Sequence, residues 1–447
     1  MTDASNLSLL VPDEPDKDPL SLVRDPRFRH DLQIRTPALD LLADRFFPLL
    51  EAHREQHSQR GFGHKLRLSY DHALRSILAN LLNNSRPEER RSVCYSRAWA
   101  DYETSIYRSN APGRDVFTNC LDILASEGLV ELTAGEWGPF GEKGKLSTFR
   151  LTDVGAKLFQ ELGVLDSWVP LDLTQPGLVE IKNAKKKKLE FDPETPEIRQ
   201  ILDQLLAINQ FLRDADISID ESAKTTRHYG PLITANPALQ AYKRIFNNGD
   251  LAQNGRFYGP WWLNMKSADR HAIRIDGQPV AGLDFSAFNA RILYAQEKQE
   301  APDCPYSPPD LVARADAVGI DWQDLRPGMK ELFNRLLNSK GRGSTKDYED
   351  SFALHRITTI DEALNLLTAH NDHIRHRFFS QVGVRISRLE SEIALRIMLD
   401  GLTDFKAVLS IHDGFFVRQE ESDWLLDRMH YHYLSIVGGE PVVEEMW

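Results

Sequence analysis

Cysteine is scarce: the chain has three in 447 residues. Cys94, Cys120 and Cys304 are far apart and odd in number, which excludes a disulfide framework and offers no zinc-ligand spacing. A reducing, cytoplasmic setting is expected. No stretch approaches 18 consecutive apolar residues, so neither a membrane-spanning helix nor a membrane partner is expected. Met1 to Pro19 is polar and acidic, so no signal peptide is expected either. There is no internal repeat. An excess of positive charge is also lacking, since the formal net charge is −12. That opposes indiscriminate binding to nucleic acid, although only the local field matters at a groove. What the chain does have is 41% hydrophobic and 27% charged residues, enough for two or three globular domains with real cores.

Composition changes along the chain. Residues 1–30 are rich in Asp and Pro without apolar periodicity and read as a flexible acidic arm. In residues 31–165, "YDHALRSILANLL" and "DVFTNCLDILASEGLVEL" have helical spacing, the second closed by Gly128 and running into a strand. A glycine-rich turn, a second strand "LSTFRLT" and a helix capped by Thr152 or Asp153 follow. This order resembles a winged helix. Lys143, Lys145 and Arg150 lie on or beside its wing and are candidates for phosphate contact. The other reading is a protein-packing module with a solvated loop. Residues 166–195 read as a lysine-rich linker, either solvated or touching a nucleic-acid backbone. Residues 196–250 read as a helical, thumb-like region that includes "NPALQAYKRIFNN".

From Gly255 the character changes. "HAIRIDGQPVAGLDFS" alternates apolar and polar residues around Asp276-Gly277, a strong hairpin signal that puts Asp284 at the end of the second strand. "FKAVLSIHDGFFVRQ" reads as strand, turn and strand, with the turn at His412-Asp413-Gly414. Alone, Asp-Gly is turn chemistry. Two carboxylates on adjacent strands, however, can hold two divalent ions about 4 Å apart, which activate a hydroxyl and stabilise a leaving pyrophosphate. Between them, "LRPGMKELFNRLLNSKG" places Arg326, Lys330 and Asn334 on one helical face, with Asn338 alongside. Cations on such a face suit a triphosphate; the plainer reading is an exposed amphipathic helix.

"LDFSAFNARILYA", "RPGMK" and "SIHDGFFV" resemble motifs A, B and C of family A nucleic-acid polymerases, the DNA polymerase I-like and single-subunit phage RNA polymerase-like enzymes. "GRFY" at Gly255–Tyr258 resembles the Gly-Arg segment ahead of motif A. The four elements occur in the family's order and cover roughly residues 250–447. The resemblance implies an α+β fold: a right-hand palm on an antiparallel sheet over 251–447, with reduced helical fingers over about 295–400. It implies that Asp284, Asp413 and the Phe285 carbonyl bind two Mg²⁺ ions, with Mn²⁺ a possible substitute. Arg326 and Lys330 would hold a nucleoside triphosphate, with Lys330 able to protonate pyrophosphate. His412 would approach the primer terminus, and Arg256 the primer–template duplex. Asn289, Arg291, Asn334 and Asn338 are further candidate substrate contacts. Such a short set suffices for phosphoryl transfer, which needs mainly positioning and charge.

The chain also departs from the pattern. Asn289 stands where many family A DNA polymerases carry the Glu that helps exclude ribose, motif B lacks its aromatic, and Gly414 replaces the Glu after motif C. Sugar selection therefore does not carry over, and ribonucleotide use is expected to be possible. The expected function is template-directed nucleotidyl transfer by a small, non-proofreading enzyme of the kind that mobile elements, phages and defence systems carry. The alternatives are template-independent addition, a catalytically dead nucleic-acid-binding regulator and a metal-dependent nuclease. Three further features have bland readings: at least one of Trp261 and Trp262 as core, with base stacking the other reading; Glu390 and Glu392 as solvated carboxylates of a packed helix, with one of them facing the palm as the other reading; and His370, His373 and His376 as no metal site.

Overall fold

The structure is a computed structural model. It describes residues 28, 37–57, 63–85, 90–98, 102, 112–136, 144–163, 176–220, 240–341 and 353–447. The expected acidic arm, apart from Phe28, and Lys143 lie outside the described residues. Helices are mixed with mainly antiparallel sheets, and none of the described helices is long and apolar enough to cross a membrane.

The first region contains helices α1 (Pro37–His57) and α2 (His64–Asn84), strand β1 (Val93–Tyr95), helix α3 (Arg114–Ser126), strands β2 (Val130–Thr133) and β3 (Ser147–Leu151), and helix α4 (Asp153–Glu161). The strands form an antiparallel sheet in the order β1-β3-β2. On α2 the buried Tyr70, Ala73, Leu74, Ile77, Leu78 and Leu81 follow the helical period. Gly128, at φ +72, terminates α3 where a side chain would be strained. Thr152 caps α4 by accepting the Gly155 amide at 3.0 Å. Helix α1 is absent from the sequence reading; Pro48 lies inside it and interrupts the helical signal.

The second region continues with strand β4 (Val179–Ile181), helix α5 (Pro196–Asp214), and strands β5 (Ile217–Ile219), β6 (Lys243–Asn247), β7 (Asp250–Tyr258), β8 (Ile273–Ile275) and β9 (Gln278–Phe285). Helices α6 (Phe288–Gln296), α7 (Pro309–Ala317), α8 (Trp322–Asn338), α9 (Ile360–His370) and α10 (Gly383–Thr403) follow. Strands β10 (Leu409–Ile411) and β11 (Gly414–Arg418), helix α11 (Ser422–Val437) and strand β12 (Val443–Glu445) complete it. One sheet has the order β10-β11-β9-β8-β5, with β12 also paired to β9. Another has the order β4-β6-β7, β4 running parallel to β6. Each region has its own hydrophobic core.

Two stretches differ from expectation. The supposed linker carries β4, a buried member of a sheet. "AYKRIFNN", read as helical, contains β6, in which Arg244, Ile245 and Phe246 are all buried. A strand enclosed on both faces loses its period-2 alternation and reads as a plain apolar run. Trp261 and Trp262 are both core residues, which removes either from base stacking.

Candidate active site

The Asp276-Gly277 turn joins β8 to β9 with both residues left-handed (φ 51 and 73), the geometry that Asp-Gly hairpins favour. It sets the register that carries Asp284 to the end of β9. The β10–β11 hairpin turns on His412 and Asp413, with His412 at φ 59 and Gly414 already in β11. The register then decides the site: Gly414 lies opposite Asp284 across β11 and β9. Residues far apart in sequence become next-door neighbours, and the Phe285 amide donates to the Asp413 carbonyl at 3.3 Å. Gly414 keeps the space beside Asp284 open. A Cβ there would stand 2.3 Å from Met446 Cε and 3.2 Å from Asp284 Oδ1, crowding the carboxylate.

The hairpin is anchored from below. Tyr242, fully buried, donates its hydroxyl to the Ser410 carbonyl at 2.8 Å and accepts the Ser410 amide at 2.7 Å and Trp262 Nε1 at 3.0 Å. Every hydrogen-bonding capacity of that hydroxyl is used, so the strand leading to His412-Asp413 is held in place.

Electrostatics identify what surrounds the carboxylates. Burial, then the Asp413 charge, push Asp284 up to about 7, while Lys330 and the Phe285 amide oppose the rise. Two carboxylates this close resist ionising together and favour a cation between them. Among the described residues no three His, Cys, Asp or Glu side chains are grouped to hold an ion alone. Two carboxylates nevertheless fit Mg²⁺, which commonly takes its remaining ligands from water and substrate phosphates.

Arg256 on β7 donates from Nη2 to Glu390 Oε2 at 2.5 Å and feels the Asp413 charge. Glu390 on α10 is 3% exposed, so the reading of it as a solvated helix carboxylate is corrected. Burial raises it to about 7 against the pull of Arg256, with Asp413 and Asp284 adding to the rise. Glu392, by contrast, pairs with Arg388 and Arg396. His412 is exposed at the turn; partial desolvation and then the Arg256 charge lower its pKa, and Tyr258 stands edge-on to it with ring centroids 6.3 Å apart.

The remaining expected residues divide. Lys330 is exposed on α8 and acts on Asp284. Arg326, one turn earlier, donates Nε to Cys304 Sγ at 3.4 Å and lies over the Tyr306 ring at 5.7 Å. Burial pushes the Cys304 thiol up, but hydrogen bonds from Ser307 and Arg326 pull it below the usual thiol value. Asn289 donates to Asn334 Oδ1 at 2.8 Å, tying α6 to α8. Arg291 donates to the carbonyls of Ser286 (3.2 Å) and Asp303 (3.1 Å), bracing the loop after β9. Asn338 opens onto a separate cavity of about 430 Å³, lined also by Gln253, Arg377, Val382 and Arg385. In the first region, Arg150 pairs with Glu131 at 2.6 Å and Lys145 faces Glu136 at 3.9 Å, all four side chains being exposed. His370 contacts the Cys304 carbonyl, and His376 pairs with Glu297.

Two residues near the carboxylates escaped the sequence reading. Arg270, on a 3₁₀ turn (Ser267–Ala272), is half-buried and interacts with both Asp284 and Asp413. No motif marks it. Glu444 on β12 lies directly opposite Asp284 on the strand's other edge, so the two side chains share a face. The sequence reading had assigned no strand there. Comparison of the chain with known protein families and with curated proteins finds no match to either.

Proposed function

We propose that the chain is a template-directed nucleotidyltransferase that joins a 3′-hydroxyl to the α-phosphate of a nucleoside triphosphate. The observation that carries this reading is the Gly414–Asp284 register, which sets two carboxylates side by side within reach of Lys330, Arg256 and Arg270. On this reading the second region is a family A-like palm with α8 in the fingers. The first region, with its β1-β3-β2 sheet, is a winged helix.

Asp284, Asp413 and the Phe285 carbonyl would hold Mg²⁺, which when bound lowers the pKa of the attacking hydroxyl and balances charge on the leaving pyrophosphate. Lys330 and Arg270 attract and orient the triphosphate by charge. Exposed Lys330 is free to swing toward the leaving group and supply it with a proton. His412 and Tyr258 form a polar wall for the primer end, and Glu390 holds the Arg256 guanidinium toward it. The amide pair Asn289–Asn334 offers no carboxylate to repel a ribose hydroxyl, so use of both sugars is part of the proposal.

Primer extension on a labelled primer–template with Mg²⁺ tests the reading, with deoxy- and ribonucleotides in separate reactions. The expected product follows the template and is absent with Asp413→Asn. Product independent of template indicates terminal addition instead. Tight duplex binding with no product from either nucleotide set indicates a regulator.

A further inference from the structure

The lysine run "KNAKKKK" is a built structure. Lys182 and Lys188 form a β-bridge that closes a five-residue loop. Inside it, Asn183 Oδ1 accepts the amides of Lys185 (2.9 Å) and Lys187 (3.0 Å), and the Lys186 amide donates to the Asn183 carbonyl at 2.9 Å. Lys186 is left-handed at φ 63. Beneath the loop, Glu180 is 4% exposed, accepts Lys188 and Lys243 at 2.9 Å each, and lies 3.3 Å from Lys182. Burial opposes its ionisation, but the lysines prevail and hold it at about 2. Lys185, Lys186 and Lys187 are exposed at the tip, with no carboxylate partner among the described residues. A merely solvated lysine run needs neither a locked turn nor a buried counter-charge. Here both are present, in a protein of net charge −12.

The loop is also aligned with the carboxylate site. Glu180 lies opposite Ile245, and Ile245 opposite Arg256; Lys243 lies opposite Tyr258. Residues paired across a sheet share a face, so Glu180, Lys243, Arg256 and Tyr258 lie on one face with Ile245 among them, and from its far strand Tyr258 meets His412 and Arg256 feels the Asp413 charge. Two strand spacings separate Glu180 from Arg256, about 10 Å. At ~3.4 Å per base pair that is about three base pairs, and the loop tip reaches beyond.

We infer that the Lys182–Lys188 loop is a docking point for the phosphate backbone of a nucleic-acid duplex whose end lies at Asp284 and Asp413. The inference rests on the proposed function, and the pre-set geometry reduces the entropy cost of binding phosphates.

The test is fluorescence anisotropy of a labelled hairpin duplex with a 5′ overhang, titrated with the full chain at several KCl concentrations, beside primer extension. The variant is Lys185→Gln, Lys186→Asn and Lys187→Gln combined. The slope of log K against log salt is expected to become shallower by about 0.9 for each phosphate that the variant no longer neutralises, about two to three phosphates in total. Extension at saturating duplex stays unchanged, because the three lysines are remote from the carboxylates. Replacing all three by Arg restores the slope. Shortening the stem to about three base pairs removes the difference between variant and wild type. A wild type that binds and extends, with an unchanged slope in the variant, overturns the loop's role and leaves the polymerase reading standing. A difference that persists on the short stem also overturns it. A wild type that binds no duplex overturns both.

Discussion

Residues 37–163 bury Ser76, Asn80, Ser85 and Ser147 but no charged side chain among those described. Residues 176–447 bury Glu180, Arg244, Asp269, Glu390 and Glu421. Burying a charge is costly unless it is paired, so the second region gives up stability that the first does not. Within it, buried glutamates differ. Glu180 is surrounded by three lysines and held at about 2, whereas Glu390 has one arginine and two carboxylates in its field and rises to about 7. Glu421 accepts Lys406 and Arg418 at the end of β11, a bracing role. Burial is common to all three; the sign of the surrounding charge separates a brace from a group beside the Asp284–Asp413 pair.

The comparison can be broken most directly through the chemistry. Asp413→Asn is expected to reduce extension by ~10³-fold or more while duplex binding persists. Retained activity would remove the carboxylate pair from the mechanism. Next, Glu390→Ala leaves the Arg256 guanidinium without its carboxylate and is expected to cost about 3 kcal/mol, with Glu390→Gln less harmful. Asn80→Ala in the first region removes a neutral side-chain hydrogen bond to the Ser76 carbonyl and is expected to cost about 1 kcal/mol. Urea unfolding of the three variants measures the contrast, and equal losses would dissolve it.

Stability against pH sharpens the same point. Asp284 is raised from 3.8 to about 7 in the folded chain. Between those values the unfolded chain has already released the proton, so ionisation favours unfolding and stability from this group falls as pH rises. Asp284→Asn is therefore expected to unfold like wild type near pH 4 and to gain on the order of 1–3 °C above pH 7 in metal-free buffer. Added Mg²⁺ should stabilise wild type more than the variant, because it binds the folded carboxylate pair. Thermal scans across pH check both. Arg150→Ala is expected to change stability by less than ~0.5 kcal/mol, because both members of its pair with Glu131 are about half exposed.

Local signals served well where the structure is local. The Asp276-Gly277 hairpin, the Gly128 terminator, the Thr152 cap and the common face of Arg326, Lys330 and Asn334 on α8 are all present. Each depends on residues within a turn or two of one another. Helix α1 and strand β6 were not legible, one because Pro48 breaks the pattern and the other because burial on both faces erases alternation. Placing Arg326 on the right face also failed to disclose its Cys304 partner, 22 positions away.

By itself, the amino-acid order determined that Asp284 ends a strand, that Asp413 sits in a tight turn, and that a cationic helix face lies between them. Turn residues and apolar period act over a few positions, so they can be read without the fold. The tertiary structure alone decided that Gly414 faces Asp284, that Glu444 flanks it from the C-terminal strand, that Glu390 holds Arg256, and that Glu180 beneath the lysine loop shares a sheet face with Arg256. Those pairings join residues up to 160 positions apart. They are selected by strand register and by the need of buried charge to find a partner, and neither leaves a periodic trace in the chain.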